Sequence, residues 1–356
     1  FDEYEMDFCI SGEGEATFVE LLHNLSEGKP AVNKISGLSH RTTPDKSMSV
    51  NSKRKPFKSL LDIPSPFLSG VVDDEVVMRP KVEGNIETQR GCSLRCAYCV
   101  YHKDMNKISY SAVDRTLDEV RYLINKGVKR LRFVDANFTS DLDHAKAILQ
   151  GMIRAGFETT LMFELIPGFI DEEFAGLMGE FNSLYPLNEI TVGVGVQTIN
   201  LAILKKMRRA IRLNRFETTF DLLQKNKIYA KIDLIIGLPG EDMASIERTL
   251  EYMLEKLRQG QEHLLCCHVM RGLPGTPLLD IAREYEMEFS SRNDPHELVQ
   301  SPILPRADMV KCLRRTAVVF RLTNHRGWAD REFISGRRSK DATIRDAFFE
   351  ARDRLG

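Results

Sequence analysis

The sequence predicts an α/β fold built on a parallel sheet. Three observations lead there. From residue 85 onward, apolar segments of strand length alternate with amphipathic segments of helix length. Six such pairs follow one another, with candidate strands at 85–89, 130–135, 159–165, 190–197, 229–236 and 263–269. The composition, 42% hydrophobic and 28% charged, is that of an ordinary folded protein. Repeated β-then-α units imply right-handed crossovers and either a doubly wound sheet or a barrel, complete or partial. In both, chemistry belongs at the carboxyl ends of the strands.

The elements follow in order. Phe8-Cys9-Ile10 reads as a short strand leading into Ser11-Gly12-Glu13-Gly14-Glu15. A helix comes next, with Phe18, Leu21, Leu22 and Leu25 on one face and Gly28 as its stop. Residues 29–84 are dominated by Ser, Pro, Lys and Arg, which predicts a linker with little regular structure. Ser111 is expected to open a helix that carries Val113, Leu117, Val120 and Ile124 and ends at Gly127; Ser111-x-x-Asp114 has the form of a capping box. Ile246, Leu250, Met253, Leu254 and Leu257 mark another helix, and residues 270–356 turn irregular, then helical and basic.

Lys plus Arg number 50 and Asp plus Glu 51, a net charge of -1, which argues against a chain that coats nucleic acid or an anionic membrane. No apolar run approaches the roughly 18 residues of a membrane span. The first residue is Phe1, so the sequence is expected to be a processed or truncated piece. Of seven cysteines, Cys9, Cys266, Cys267 and Cys312 are scattered and read as small buried hydrophobes. Cys266 and Cys267 are neighbours in a strand and point to opposite faces, so they do not share a ligand.

The other three are clustered. Cys92-Ser93-Leu94-Arg95-Cys96-Ala97-Tyr98-Cys99 follows the first strand of the sheet with spacing C-x3-C-x2-C. An electron-transfer [4Fe–4S] cluster takes four thiolates, one per iron; three leave an iron open to a chelating substrate. S-adenosylmethionine offers an amino group and a carboxylate for that position, and one electron from the cluster then splits its C–S bond to give a 5′-deoxyadenosyl radical. Two other readings stand beside this one: a zinc site with His102 as fourth ligand, and simple packing.

The loop, with an aromatic residue, Tyr98, just before the third cysteine, resembles the cluster-binding motif of the radical S-adenosylmethionine superfamily. The resemblance runs from about Asn85 to Thr276. It implies a partial (β/α)6 TIM-like barrel.

Further candidates sit where strands should end. Asp135 and Asn137 follow the second strand. They stand where many superfamily members carry a Gly-Gly-Glu stretch touching the cofactor's amino group, and the variant resembles a cobalamin-associated branch. A helix-capping turn is the alternative. Glu164, a lone carboxylate in an apolar strand, is either salt-bridged or faces the pocket. The fourth strand carries Gly193 and Gly195, a mark of close backbone or ligand approach, and ends at Gln197. Gln197 and Arg209 resemble a Gln and an Arg of the oxygen-independent coproporphyrinogen III oxidases that contact the cofactor's ribose and carboxylate; Arg208 is the rival to Arg209. The same likeness makes Asp233 a ribose ligand and lays the turn at Leu238 against the adenine. Arg271–Pro277 reads as a closing loop.

Ser11–Phe18 resembles the last turn and helix of an α/β cobalamin-binding domain. The expected organisation is therefore a cobalamin-domain remnant at 1–28, a linker at 29–84, the radical core at 85–277 and a helical extension at 278–356. The implied cofactors are a [4Fe–4S] cluster and S-adenosylmethionine, with cobalamin in a longer chain. Flavodoxin or ferredoxin is the implied electron donor, an unidentified small molecule or peptide the substrate, and a reducing cytoplasm the compartment. The competing class is an iron–sulfur or zinc module with a structural or electron-transfer role. The catalytic residues themselves are not legible.

Overall fold

The computed structural model describes residues 6–28, 31–42, 47–79, 82–101, 107–209, 211–258, 263–290 and 296–323. Its centre is a six-stranded parallel sheet: β1 (Glu83–Ile86), β2 (Arg130–Phe133), β3 (Thr160–Leu165), β4 (Glu189–Gln197), β5 (Tyr229–Ile236) and β6 (Leu264–Val269). Spatial order follows chain order from β1 to β6 without reversal. A doubly wound sheet needs a reversal. Without one, every right-handed crossover steps the same way and lands its helix on the same face. That is the arrangement of a partial barrel.

Five crossover helices cover the outer face: α1 (Val113–Asn125), α2 (Leu142–Arg154), α3 (Glu172–Leu184), α4 (Leu213–Lys225) and α5 (Met243–Arg258). The strands sort their residues by parity. One set, including Ile86, Phe133, Phe163, Val192, Val194, Ile232 and Leu234, is buried in a single core with these helices. Phe138 stacks on Phe133 at 4.8 Å between ring centroids and meets Phe163 at 4.6 Å. The other set is charged and partly accessible: Glu83 pairs with Arg132 at 3.6 Å, Lys231 with Asp233 at 3.2 Å, and Asp233 with His268 at 2.9 Å. A period of two thus separates an apolar outer face from a polar inner one.

The open edge at β6 is closed by α6 (Arg306–Thr323). Thr323 Oγ1 accepts the Leu265 N–H at 3.1 Å, and Phe320 packs on Tyr229, Leu264 and Cys266. Covering an edge in this way removes a template for unwanted strand pairing.

Three expectations need correction. The first strand lies at Glu83–Ile86, because the chain turns after Ile86 and Gln89–Arg90 pairs instead with Ser109–Tyr110 as a separate antiparallel ribbon. Ser111 does not cap α1. Its N–H is bound to Thr88 O and its carbonyl faces His144 Nε2, while Ala112 takes the cap position without a side-chain bond. Residues 29–84 are not featureless either. Leu38–Arg41 pairs antiparallel with both Phe8–Ile10 and Met48–Val50, giving a three-stranded sheet. The helix Glu15–Ser26 buries Leu21 against Ile35 and Leu38 and leaves Phe18, Leu22 and Leu25 exposed. Among the described residues no helix is long and apolar enough to cross a membrane.

Asn188, just ahead of β4, ties three backbone segments together. Its Oδ1 accepts the Thr159 N–H at 2.9 Å, and its Nδ2 donates to Phe157 O at 3.2 Å and Phe181 O at 3.0 Å. Asn188→Ala leaves three buried backbone groups without partners. Denaturant unfolding is expected to show a loss of at least about 2 kcal/mol.

Candidate active site

The cysteine loop leaves the sheet at the carboxyl end of β1, and its course is set by buried anchors. Asp135 accepts the N–H of Thr88 at 2.8 Å, the N–H of Gln89 at 2.9 Å and the Thr88 hydroxyl at 2.6 Å. Burial pushes this carboxyl up to about 6 even against those bonds. Asn137 accepts from Ile166 N at 3.1 Å and Thr139 Oγ1 at 3.1 Å, and its carbonyl receives Gln89 Nε2 at 2.6 Å. Both side chains thus hold the base of the loop.

Farther along, the Ala97 N–H donates to Met207 O at 2.9 Å and Ala97 O accepts from Leu278 N at 3.0 Å. Gly91 stands at φ +108°, where a Cβ would press on Lys107 O at 3.0 Å, so the loop starts on a residue that must be glycine. Cys96 is buried, and Cys92 and Cys99 are half-buried. Burial raises the thiols of Cys92 and Cys99, opposed by N–H groups of Leu94 and Tyr101 respectively. Burial likewise raises the Tyr98 phenol, which packs against the core. Among the described residues no three His, Cys, Asp or Glu side chains are gathered closely enough for one metal ion. A single zinc needs every sulfur about 2.3 Å from one point. A cubane spreads its thiolates over separate irons. His102 lies outside the described residues.

Arg209 reaches this loop from the segment after β4. It is 7% exposed, its Nη1 lies 3.5 Å from Cys96 Sγ, its Nη2 donates to Gly195 O, and its Nε has no partner among the described residues. Arg208, by contrast, is exposed. A Cβ at Gly195 would sit 2.9 Å from Arg209 Nη2 and 2.7 Å from Gln197 Nε2, so the glycine makes room for both. Gln197 has φ +72° beside a register shift between β4 and β5. A non-glycine residue in that region, next to a bulge, is a strained position of the kind found at ligand sites.

The inner face supplies the remaining candidates. Glu164 lies against Gly193, where a Cβ would come within 2.1 Å of its Oε2. Burial raises this carboxyl, and Lys231 opposes the rise. Asp233 faces the same space, but its two oxygens are taken by His268 and Lys231. The Leu238 side chain is in the core, its N–H is bound by Glu241 Oε2 at 3.2 Å, and its carbonyl accepts from Glu241 N at 2.9 Å. The residues that sequence reasoning passed over are Glu241 and His268. The signal for Glu241 was its place directly after the Gly237–Gly240 turn; for His268 it was the period of two along β6.

The family model for the radical SAM superfamily matches residues 86–253. The cobalamin-dependent radical SAM methyltransferase TokK of Streptomyces tokunonensis is 25% identical over 284 residues, which are 77% of this chain and 40% of TokK. Among solved structures, the radical S-adenosylmethionine methyltransferase TsrM of Kitasatospora setae, with cobalamin and a [4Fe–4S] cluster bound, aligns with TM-score 0.64 at 19% identity, covering 83% of this chain and 60% of TsrM. The cobalamin-dependent S-adenosylmethionine radical enzyme OxsB, with aqua-cobalamin and S-adenosylmethionine bound, aligns with TM-score 0.66 at 14% identity, covering 94% of this chain and 52% of OxsB. The two structures establish the shared fold, and the chain spans less than two thirds of each of these relatives.

Glu241 gives the site a pH signature. Burial, only partly offset by the N–H groups of Gly237 and Leu238, pushes its carboxyl up to about 7. The folded state therefore holds this proton more tightly than the unfolded chain, and stability falls as pH rises from the ordinary carboxylate range to about 7. Glu241→Gln keeps an acceptor for both N–H groups and removes the titration. Thermal unfolding of the two proteins across this range is expected to show a flatter pH dependence for the variant.

Proposed function

We propose that the chain, whose residues 86–253 match the radical SAM family model, carries out radical S-adenosylmethionine chemistry, with methyl transfer through cobalamin as its outcome. The observation that carries the reading is the buried Arg209 set against Cys96 within a loop of three thiols. A guanidinium donates to thiolate sulfur and, through its remaining N–H groups, to a carboxylate. A site for thiolates and a carboxylate has every use for one.

Cys92, Cys96 and Cys99 would hold the [4Fe–4S] cluster, which supplies the single electron that opens the C–S bond of S-adenosylmethionine. Around it the chain's own residues bind and orient. Arg209 Nε, a donor without a partner among the described residues, suits the cofactor's carboxylate. Glu164 offers a carboxylate acceptor to an ammonium or hydroxyl group, and Gln197 an amide. Asp135 and Asn137 act at one remove by fixing where the loop begins. The cobalamin assignment rests on the named activity of TokK and on the resemblance of Ser11–Phe18 to the end of a cobalamin-binding domain. A low-potential donor such as flavodoxin or ferredoxin, a small-molecule or peptide substrate and a reducing cytoplasm complete the proposal. An iron with an open position is vulnerable to oxygen.

Anaerobic reconstitution tests the metal. The chain is expected to hold close to four irons, by the one-thiolate-per-iron logic of a cubane with an open site. Cys92→Ala, Cys96→Ala and Cys99→Ala combined should abolish iron uptake; unchanged iron content sinks the assignment.

Equilibrium dialysis with S-adenosylmethionine tests the pocket. Arg209→Ala removes a charge-assisted hydrogen bond worth about 1.5–3 kcal/mol and should weaken binding by roughly 10- to 150-fold. Arg208→Ala should bind as wild type does, and the reverse pattern would show that the wrong arginine has been assigned.

A further inference from the structure

We infer that His268, rather than Asp233, is the side chain that β5 and β6 present to a bound molecule, as a proton acceptor for an N–H or O–H group. The inference rests on the proposed function only for the identity of that molecule. Asp233 Oδ1 accepts His268 Nε2–H at 2.9 Å and Oδ2 accepts Lys231 Nζ at 3.2 Å. Both carboxylate oxygens are therefore engaged, and the Asp233 side chain is 14% exposed against 37% for His268.

The carboxylate fixes the imidazole. With Nε2–H donated to Asp233, the neutral ring carries its lone pair on Nδ1, the nitrogen turned away from the acid. The surroundings are charged but balanced. Lys231 flanks Asp233 on β5, and Glu164 faces the group from β3 with Arg132 behind it on β2. On β6 the Cys266 thiol, pushed up to about 12 by burial, stays neutral. β4 contributes Gly193 and Gly195, which project no side chain into this space.

The proton transfer is simple. The ligand's N–H or O–H bond breaks, its electron pair stays on the heteroatom, and the Nδ1 lone pair forms the new N–H bond. Asp233 then faces an imidazolium. The donor is either a group on the adenosyl cofactor or one on the molecule being modified.

Carbethoxylation of the full, cluster-loaded chain by diethyl pyrocarbonate, followed residue by residue by peptide mass spectrometry, separates these cases. His268 is expected to react, and Asp233→Ala, which removes the acceptor that holds the ring, should change its rate of reaction. An unreactive His268, or one whose rate Asp233→Ala leaves unchanged, overturns the inference. S-adenosylhomocysteine, its binding measured in parallel by dialysis, then assigns the donor. Binding that slows carbethoxylation of His268 places the donor on the nucleoside. Binding without slowing places it on the second substrate. If S-adenosylhomocysteine does not bind at all, the proposed function fails while the comparison with Asp233→Ala still judges His268.

Discussion

A guanidinium buried without a carboxylate is the constraint on which the site depends. Removing such a cation from water costs several kcal/mol unless negative charge or good hydrogen bonds meet it. Arg209 finds a carbonyl, at Gly195, and a sulfur, at Cys96. In the proposed function, thiolates and a ligand's carboxylate would supply the rest of the compensation. The guanidinium would also draw sulfur and ligand toward the same few atoms.

The sheet serves that arrangement through parity. Outward residues weld the strands to the helices in one core, so the scaffold is rigid where the chemistry is not. Inward residues form a lateral series of charges, Glu83 to Arg132 and Lys231 to Asp233 to His268. β4 interrupts the series with two glycines, and into that gap come Glu164 from one side and Arg209 from the other. A chain with a net charge of -1 therefore holds strong local fields within its barrel.

Most of the fold was legible because six strands and their helices obey simple periods. The close approach at the β4 glycines was legible for a different reason: only a residue without a side chain leaves the room that Glu164, Gln197 and Arg209 occupy. Less legible was the carboxyl end of a strand, where a polar side chain can meet a ligand, its own backbone or both. Asp135 and Asn137 bond to the backbone at the base of the loop, and nothing in their local sequence announces it. The partners of Asp233 were hidden for another reason: one is two residues back, at Lys231, and the other, His268, is on another strand. The segment Leu38-Ser39-His40-Arg41 escaped notice because it lacks the alternation by which a strand is recognised.

The anchors of the cysteine loop also bear on the order of events during synthesis. Cys96 and Arg209 are 113 residues apart, and Ala97 is clasped by Met207 on one side and Leu278 on the other. Contacts of such long range form late. When the three cysteines leave the ribosome, the wall that will confine them has not been made. Until Leu278 has followed, the thiols sit on a loop held from one side only, open to iron carriers and to oxidants alike. The loop therefore takes its final course only when the last strand and the turn beyond it are in place.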